Sequence, residues 1–252
     1  MTDKREAKEK ANFMYRYDMH VHSAEGSACG RDCAADMVRA FAAAGYAGFV
    51  LTDHSCCGNS AAPRDWPWER RIRVYEQAYQ SAAEAGRALD FDVLFGWEHH
   101  YGHGREALTY GIDIDFLLKN PDIPGLTLAE YAGRVRAAGG YVALAHPYRV
   151  RDYIDASVQP QPEAVDGVEV YNDANRPEEN RAALRLAESR GLGMVSGSDA
   201  HSTAERVGTA GLAFARRIRA NAELVAALRA GEGKLIVRGE ILPLPGDFSV
   251  SP

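Results

Sequence analysis

Histidine and carboxylate side chains recur in this sequence at positions where they could bind divalent metal ions. The first group is a His-x-His pair, His20 and His22, preceded by Asp18. Side chains alternate between the two faces of a strand, so these three project together if the segment is extended. Two imidazoles on one rigid strand can bind one ion. Such a pair also arises by chance, so the prediction depends on whether other segments repeat the pattern.

Further segments place a histidine or a carboxylate directly after a short apolar run. These residues are His54, Glu98, His146, Asp199 and His201. The carboxyl ends of parallel strands in an α/β barrel open on one face, so we expect these side chains to meet His20 and His22 there. Five imidazoles and two carboxylates exceed the three or four protein ligands of one zinc-like ion, which predicts at least two ions. The alternative, histidines that each satisfy a local hydrogen bond, requires a coincidence at every strand end.

The elements that position these residues are strands alternating with helical patterns. The candidate strands are residues 15–21, 48–51, 91–95, 141–144, 167–171, 193–196 and 211–215. Strands separated by single helices imply parallel pairing through right-handed crossovers. Seven such units predict a closed barrel in a single α/β domain.

Helix ends are also readable from the sequence. Asp32 is predicted to cap a helix that stops at Gly45, and Thr127 with Glu130 forms a capping-box pattern. Pro177 suits the first turn of a helix that ends at Gly191. Asn221 is predicted to cap the last helix, which ends near Gly231.

The composition is that of a globular protein rather than of a nucleic-acid-binding or membrane protein. The 252 residues are 46% hydrophobic and 25% charged with a formal net charge of −6, so no dedicated nucleic-acid surface is expected. No apolar run approaches the roughly 18 residues that span a bilayer, and the polar start lacks a secretory signal. We therefore expect a cytoplasmic protein with no membrane partner. The four cysteines are too few for a disulfide scaffold and lack zinc-ribbon spacing, which predicts free thiols.

Together the motifs resemble the PHP (polymerase and histidinol phosphatase) superfamily of metal-dependent phosphoesterases. They are Asp18-Met19-His20-Val21-His22, Thr52-Asp53-His54, Gly96-Trp97-Glu98, Ala145-His146-Pro147 and Ser198-Asp199-Ala200-His201. The resemblance spans roughly residues 15 to 215 and implies a distorted (β/α)7 barrel, two or three divalent ions (Mn, Fe or Zn), and hydrolysis of phosphate esters. We assign residues 13–238 to this barrel, 1–12 to a flexible amino-terminal segment and 239–252 to a carboxy-terminal tail.

The resemblance also implies how the ligands divide among the ions. One ion is expected to take His20, His22, Glu98 and Asp199. Glu98 would bridge to a second ion that takes His146, and His54 with His201 would belong to a third. Asp18 and Asp53 are expected to orient neighbouring imidazoles.

The third ion lacks one ligand in this reading. Many relatives supply it with a histidine or an aspartate a few residues after the His-x-His pair, where this chain has no histidine. Glu25, Cys29 and Asp32 are the available substitutes, and the sequence leaves the choice among them open.

The implied reaction is attack on phosphorus by a hydroxide held between two ions. His103 is a candidate proton donor to the leaving group, and Arg149 a candidate bidentate phosphate ligand, with a solvated surface arginine as the alternative. The sequence leaves the roles of His99 and His100 open. The expected substrate is a small phosphate ester, a monoester above all, and the sequence does not define the oligomeric state.

Two other functions fit parts of this pattern. An amidohydrolase-type barrel also opens with His-x-His, but commonly bridges two ions with a carboxylated lysine, and the only lysine between residues 11 and 233 is Lys119. A non-catalytic metal-binding PHP domain is the second alternative. Such domains lie in much longer chains and lack metal ligands, whereas the main ligands are all present here.

Overall fold

A computed structural model describes residues 14–243 of the chain. The predicted segment 1–12 and most of the predicted tail 239–252 lie outside these residues. The strands are β1 (Tyr15–Val21), β2 (Gly48–Leu51), β3 (Asp92–Gly102), β4 (Arg105–Tyr110), β5 (Tyr141–Leu144), β6 (Gly167–Asn172), β7 (Gly193–Gly197), β8 (Ala210–Phe214), β9 (Lys234–Val237) and β10 (Glu240–Ile241). The α-helices are α1 (Ala34–Ala43), α2 (Trp68–Ala88), α3 (Ile114–Lys119), α4 (Leu128–Ala137), α5 (Pro177–Arg190) and α6 (Asn221–Ala230).

Within residues 14–243 the strands form one ten-stranded mixed sheet in the order β10-β9-β8-β1-β2-β3-β4-β5-β6-β7. Neighbours in β1-β2-β3 and in β5-β6-β7 are parallel. Strand β4 lies antiparallel between these two groups, and β8 pairs antiparallel with the other edge of β1. The six strands of these two groups therefore point the same way, and all seven predicted ligands lie on five of them or in the segments that follow.

The sheet curls until the segment after β7 reaches β1. The backbone amide of Asp199 donates to the carbonyl of His20 at 2.9 Å, and the amide of His22 donates to the carbonyl of Ala200, also at 2.9 Å. These bonds bring the ends of β1 and β7 side by side. Residues that are far apart in sequence thereby line one mouth.

The α/β class is confirmed, but the prediction of seven parallel units is wrong: one of the seven predicted strands is antiparallel, and β4, β9 and β10 were not predicted. The predicted strand 211–215 corresponds to β8, which is antiparallel to β1. Strand β4 was not predicted at all. Gly102, His103 and Gly104 all have positive φ (109°, 56° and 71°), and they turn the chain back on itself so that β4 pairs antiparallel with β3. The result is a curled mixed sheet.

The predicted helix ends are correct where local hydrogen bonding decides them. Thr127 and Glu130 form the capping box at the start of α4. Pro177 is the first residue of α5, and Gly191 ends that helix with φ 62°, a conformation that glycine adopts without strain.

Two predicted caps are wrong because tertiary contacts recruit their side chains. Cys33 occupies the N-cap of α1, while the Asp32 carboxylate accepts hydrogen bonds from the amide and hydroxyl of Thr203 at 2.7 and 3.0 Å. Asn221 is already helical, with Ala220 at the N-cap of α6. Its side chain instead donates to two backbone carbonyls of neighbouring segments.

Across residues 14–243 no helix has both the length and the apolar character needed to cross a membrane.

Candidate metal centre

The structure brings the seven predicted ligands together at the mouth of the curled sheet. Together with Glu106 they form overlapping groups. Within each group the potential ligand atoms all lie within 4.8 Å of one another. The groups are His20–His22–Glu98, His20–His146–Asp199, His22–His54–His201 and His54–Glu98–Glu106. Because the groups share members, they form one continuous cluster with room for more than one ligand set.

The shortest distances converge on His20 and Glu98. His20 Nε2 lies 2.9 Å from His22 Nε2, 3.2 Å from Glu98 Oε1 and 3.5 Å from Asp199 Oδ1. Glu98 Oε1 is also 3.0 Å from His146 Nε2, and Glu98 Oε2 is 2.6 Å from His54 Nδ1. The two oxygens of Glu98 therefore face different imidazoles, an arrangement suited to a bridging carboxylate.

Hydrogen bonds on the outer side of the rings determine which nitrogen faces the cluster. His20 Nδ1 lies 2.8 Å from Glu169 Oε1, and an ionised carboxylate can only accept, so this nitrogen carries the proton. His22 Nδ1 lies 3.0 Å from Ser27 Oγ, whose hydroxyl donates to Asp53 Oδ1 at 2.7 Å. Both histidines therefore direct Nε2 into the cluster, as metal-ligating imidazoles do.

This arrangement fits a cation between the rings. With both Nδ1 atoms donating outward, the lone pairs of His20 Nε2 and His22 Nε2 would face each other across 2.9 Å. A proton or a metal ion between them removes that repulsion. Nitrogen and carboxylate oxygen are donors that zinc, iron and manganese all accept, so the residues present fit a divalent ion.

Electrostatics also favour positive charge in the cluster. Burial alone lowers the pKa of His20, but the carboxylates of Glu169, Glu98 and Asp199 outweigh it and raise this pKa well above its ordinary value. Burial alone raises the pKa of Glu98, yet the nearby His20 and His54 bring it well below its usual range. The cluster is thus built to hold ionised carboxylates beside cations.

The pKa of His22 moves the other way. Burial lowers it well below its ordinary value, and the neighbouring imidazoles of His201 and His54 lower it further. A neutral imidazole has the free lone pair that a metal ion needs.

The two predicted orienting aspartates differ in their contacts. Asp53 is buried and accepts a hydrogen bond from Ser27 Oγ, which in turn contacts His22 Nδ1. Burial raises the pKa of Asp53 to about 6. Asp18 accepts from the backbone amides of His20 and Ser198 at 3.0 and 3.1 Å rather than from an imidazole, and burial raises its pKa to about 7. Asp18 therefore ties β1 to the segment after β7.

The backbone is strained at two of the predicted ligands. His146 has φ 30° and Asp199 has φ 55°, in the region that favours glycine. Such conformations cost on the order of 1–3 kcal/mol and are concentrated at functional sites. Contacts elsewhere hold these two residues in place, since the amide of His146 donates to Glu169 Oε2 at 2.8 Å and that of Asp199 donates to His20.

Arg149 is buried against the cluster, which excludes the surface-arginine alternative. Its Nη2 donates to Asp199 Oδ2 at 2.6 Å and to Asn172 Oδ1 at 2.9 Å, while its Nε donates to Asn175 Oδ1 at 2.8 Å. Burial alone raises the pKa of Asp199, but His20 and Arg149 hold it well below its ordinary value. Arg149 thus orients Asp199 and keeps it ionised.

A cavity of about 480 Å³ opens directly on the cluster. Its lining includes Cys29, His54, Arg64, His100, Glu106, Arg149, Tyr153, Asp199 and His201. His103 lies outside this lining: its side chain is 63% exposed, and its Nδ1 is 3.8 Å from Asp155 Oδ2. The role of His103 as a proton donor therefore stays a prediction, and His100 is the nearby histidine that lines the cavity.

The structure also resolves where His99 points. Its ring is buried and stacks on Tyr131 of α4, with centroids 3.8 Å apart. Burial and the neighbouring His100 lower its pKa to about 3. His99 packs the sheet against a helix and faces away from the cluster.

Sequence reasoning missed two carboxylates of the site. Glu106 lies on β4, the unpredicted strand, so its place beside His54 and Glu98 could not be foreseen without the hairpin. Glu169 lies within a predicted strand. A lone glutamate amid the apolar Gly167–Asn172 segment was a usable signal, because a buried carboxylate needs a partner.

Comparisons with known proteins identify a family model and solved structures that resemble this chain. A family model described as PHP-associated matches residues 177–232. Among solved structures, a two-domain protein from Bacteroides vulgatus that contains a predicted PHP-like metal-dependent phosphoesterase aligns with TM-score 0.60 and 15% identity, over 90% of this chain and 65% of that one. The family model covers less than a quarter of the chain, and the likeness to the Bacteroides protein shows a shared fold.

Two further solved structures share the fold of this chain. One, assigned as a metal-dependent phosphoesterase from Bifidobacterium adolescentis, has TM-score 0.52 and 16% identity over 76% of this chain and 90% of its own. The other, an amidohydrolase from Chromobacterium violaceum with bound sulfate, has TM-score 0.55 and 19% identity over 76% and 89%. The sequence matches no curated protein. At these identities the structural likeness establishes the fold, and the chemistry must be argued from the site.

Proposed function

We propose that this protein is a metal-dependent hydrolase of small phosphate esters, with monoesters as its main substrates. The observation that carries the proposal is the overlapping histidine–carboxylate cluster at the base of a cavity that also holds a buried arginine. Such a set combines what phosphate hydrolysis needs, namely cation ligands and a guanidinium for the phosphate oxygens.

In this proposal one ion is held by His20, His22, Glu98 and Asp199. Glu98 and His146 would hold a second ion, and His54 and His201 would hold a third. Bound ions would supply an activated water and neutralise phosphate oxygens. The protein's part is to fix the ligands, which it does through the outward hydrogen bonds of His20 and His22.

Arg149 is proposed to bind the phosphate while it holds Asp199. Its guanidinium is fixed by three side-chain acceptors and lines the cavity, so it loses little freedom on binding an anion. Arg64 adds a second positive charge to the cavity wall. The chain carries a net charge of −6, but dications together with these two arginines would make the mouth attractive to a phosphate.

The cavity volume supports a small substrate. About 480 Å³ lies within the roughly 300–1,000 Å³ range of small-molecule sites. The cavity lining also includes Tyr153 and Asn59, which offer contacts to the part of the substrate beyond the phosphate.

The amidohydrolase alternative is favoured by one structural neighbour of that description. In this chain, however, the bridging position holds Glu98. Lys119 lies on α3 with its side chain 75% exposed, 3.6 Å from Asp115, so no carboxylated lysine from residues 14–233 can reach the cluster. Amide and lactone substrates belong in the test as the discriminating arm.

The test compares Asp199→Asn with a matched control, Asp115→Asn on the exposed helix α3. Metal-stripped proteins are reloaded with manganese, iron or zinc and assayed against phosphomonoesters, phosphodiesters, amides and lactones. We expect the wild type and Asp115→Asn to release phosphate from monoesters, and Asp199→Asn to lose about 100-fold or more, because loss of an orienting partner alone costs up to that factor. Turnover of monoesters by Asp199→Asn at the wild-type rate, or activity confined to amides or lactones, would refute the proposal.

A further inference from the structure

We propose that the Cys29 thiolate is a ligand of the third metal site, where it joins His54 and His201. The inference goes beyond the proposed function, because it concerns which ion the mouth binds and through which atoms, whatever the substrate is. The sequence left three residues open for this place: Glu25, Cys29 and Asp32.

Two of the three candidates are committed elsewhere. Glu25 Oε2 accepts the backbone amide of Ala34 at 3.0 Å, at the start of α1. Asp32 Oδ2 accepts both the amide and the hydroxyl of Thr203. Each of these carboxylates therefore fastens a loop next to the mouth and does not point into the cluster.

Cys29 lies beside the two histidines of the proposed site. It lines the cavity together with His54 and His201, and its thiol lies beside both imidazoles. His201 Nδ1 is 2.9 Å from the carbonyl oxygen of Asp199, so Nδ1 donates and Nε2 is left for another partner. Three donors from three separate segments thus meet at one side of the cavity.

His54 gives a second, independent indication of a ligand here. Its ring is 9% exposed, and its Nδ1 makes no hydrogen bond within residues 14–243 although it lies 2.6 Å from Glu98 Oε2. Nitrogen and oxygen this close, at an angle unsuited to a hydrogen bond, are arranged as two ligands of a cation are. His22 also groups with His54 and His201, but its Nε2 faces His20 and Asp199 as well, at 2.9 and 3.3 Å, so the proposed site needs a donor of its own.

The donor set determines the kind of ion. One thiolate and two imidazoles give three protein ligands and leave a position open toward the cavity, as in catalytic zinc sites. A soft sulfur ligand favours zinc, iron(II) or cobalt(II) over manganese or magnesium. Binding converts the thiol to a thiolate and releases its proton to solvent. We therefore expect this site to be more selective than the sites built from imidazole and carboxylate alone.

Cobalt(II) titration of the metal-stripped full-length protein tests the assignment. A thiolate ligand gives a sulfur-to-cobalt charge-transfer band in the near ultraviolet. The matched control is Cys57→Ser, because Cys57 lines the same cavity. We expect the band in the wild type and in Cys57→Ser, and its loss in Cys29→Ser together with about one equivalent of cobalt. A band that persists in Cys29→Ser, or a saturated wild type without any band, would overturn the proposal.

Alkylation of the wild-type protein tests the assignment without any substitution. Iodoacetamide is applied with and without zinc, and each cysteine peptide is quantified by mass spectrometry. We expect zinc to protect Cys29 but not Cys33, whose thiol donates to Asp36 at the start of α1. Equal modification of Cys29 in both samples overturns the assignment. Neither measurement needs turnover, so a failure of the proposed phosphatase activity would be distinguishable from a failure here.

Discussion

His20 shows how a partner can orient a single side chain for metal binding. Glu169 accepts a hydrogen bond from His20 Nδ1 at 2.8 Å and another from the amide of His146, so one carboxylate orients the ring of one predicted ligand and the backbone of another. The His-x-His pair was readable from sequence because strand alternation places both rings on one face. Its pairing with Glu169 was not, since Glu169 comes from β6, 149 residues away.

Replacing Glu169 with glutamine is predicted to weaken metal binding without unfolding the protein. The amide keeps the size of the side chain but removes the charge that makes the imidazole of His20 a better donor. Loss of a hydrogen-bond partner of this kind lowers metal affinity by about 10–100-fold. Competition with a chelator measures the change, and Glu163→Gln, on an exposed turn, is the matched control. Equal affinities in both variants would contradict this role.

A second prediction at this scale concerns His99. Neither ring nitrogen has a hydrogen-bond partner within residues 14–243, although the ring is buried on Tyr131. His99→Phe keeps the stacking and removes the unsatisfied polar atoms, so we expect the free energy of unfolding to rise by about 1–3 kcal/mol. Chemical denaturation of the metal-free protein measures this, and a destabilised variant would show that the ring has a partner.

The pH dependence of this effect has a defined sign. Burial lowers the pKa of His99 to about 3, whereas the unfolded chain protonates this ring near its ordinary value of 6.5. The unfolded state therefore binds the extra proton first, and the wild type loses stability as pH falls from about 6.5 toward 3. The advantage of His99→Phe should grow over that window. A difference that is constant with pH would contradict the assigned shift.

At the scale of elements, the β3–β4 hairpin is what the sequence did not reveal. The chain turns through Gly102, His103 and Gly104, where a polar, histidine-rich segment gives no alternating apolar pattern to announce a second strand. The hairpin brings Glu106 to the cluster and places Gly104 against the backbone of Tyr153, at the rim of the cavity. Strand ends could be predicted from local pattern, whereas this pairing depends on positive φ values that local pattern does not specify.

Gly104→Ala is predicted to disturb the hairpin and the cavity rim. Gly104 has φ 71°, and an added Cβ would lie 2.3 Å from the carbonyl oxygen of Tyr153. The strained backbone alone costs about 1–3 kcal/mol, and the clash adds to it. The thermal unfolding of Gly104→Ala is compared with that of Gly125→Ala, where an added Cβ meets nothing within 4 Å and φ is not positive. Two variants of equal stability would contradict the account of this turn.

At the scale of the whole molecule, the cluster draws its ligands from most of the sheet. Strands β1, β2, β3, β5 and β7 or the segments after them each contribute at least one predicted ligand, and the bonds between His20 and Asp199 join the first of these strands to the last. The strand ends and their order made the gathering of these side chains predictable. Other features could not be predicted, because they depend on partners distant in sequence. These features are the closing contacts, the antiparallel strands and the tertiary hydrogen bonds of Asp32 and Asn221.

Metal binding should therefore stabilise the entire fold rather than one loop. An ion that binds the folded state alone adds about 2.7 kcal/mol at 100 times its dissociation constant. Calorimetry is expected to show one transition that moves to higher temperature with added zinc or manganese. A melting temperature that is unchanged by metal, or a shift of equal size in Asp199→Asn, would contradict the predicted ligand set.

The most direct test of the central claim is stepwise reconstitution of the metal-stripped protein. Bound metal is counted at each addition, and phosphate release from a small phosphomonoester is measured on the same samples. We predict no release by the stripped protein and activity that rises with occupancy to a plateau at about two or three ions per chain. Phosphate release by the stripped protein at the reconstituted rate, or a fully loaded protein that hydrolyses no phosphomonoester, would contradict the account.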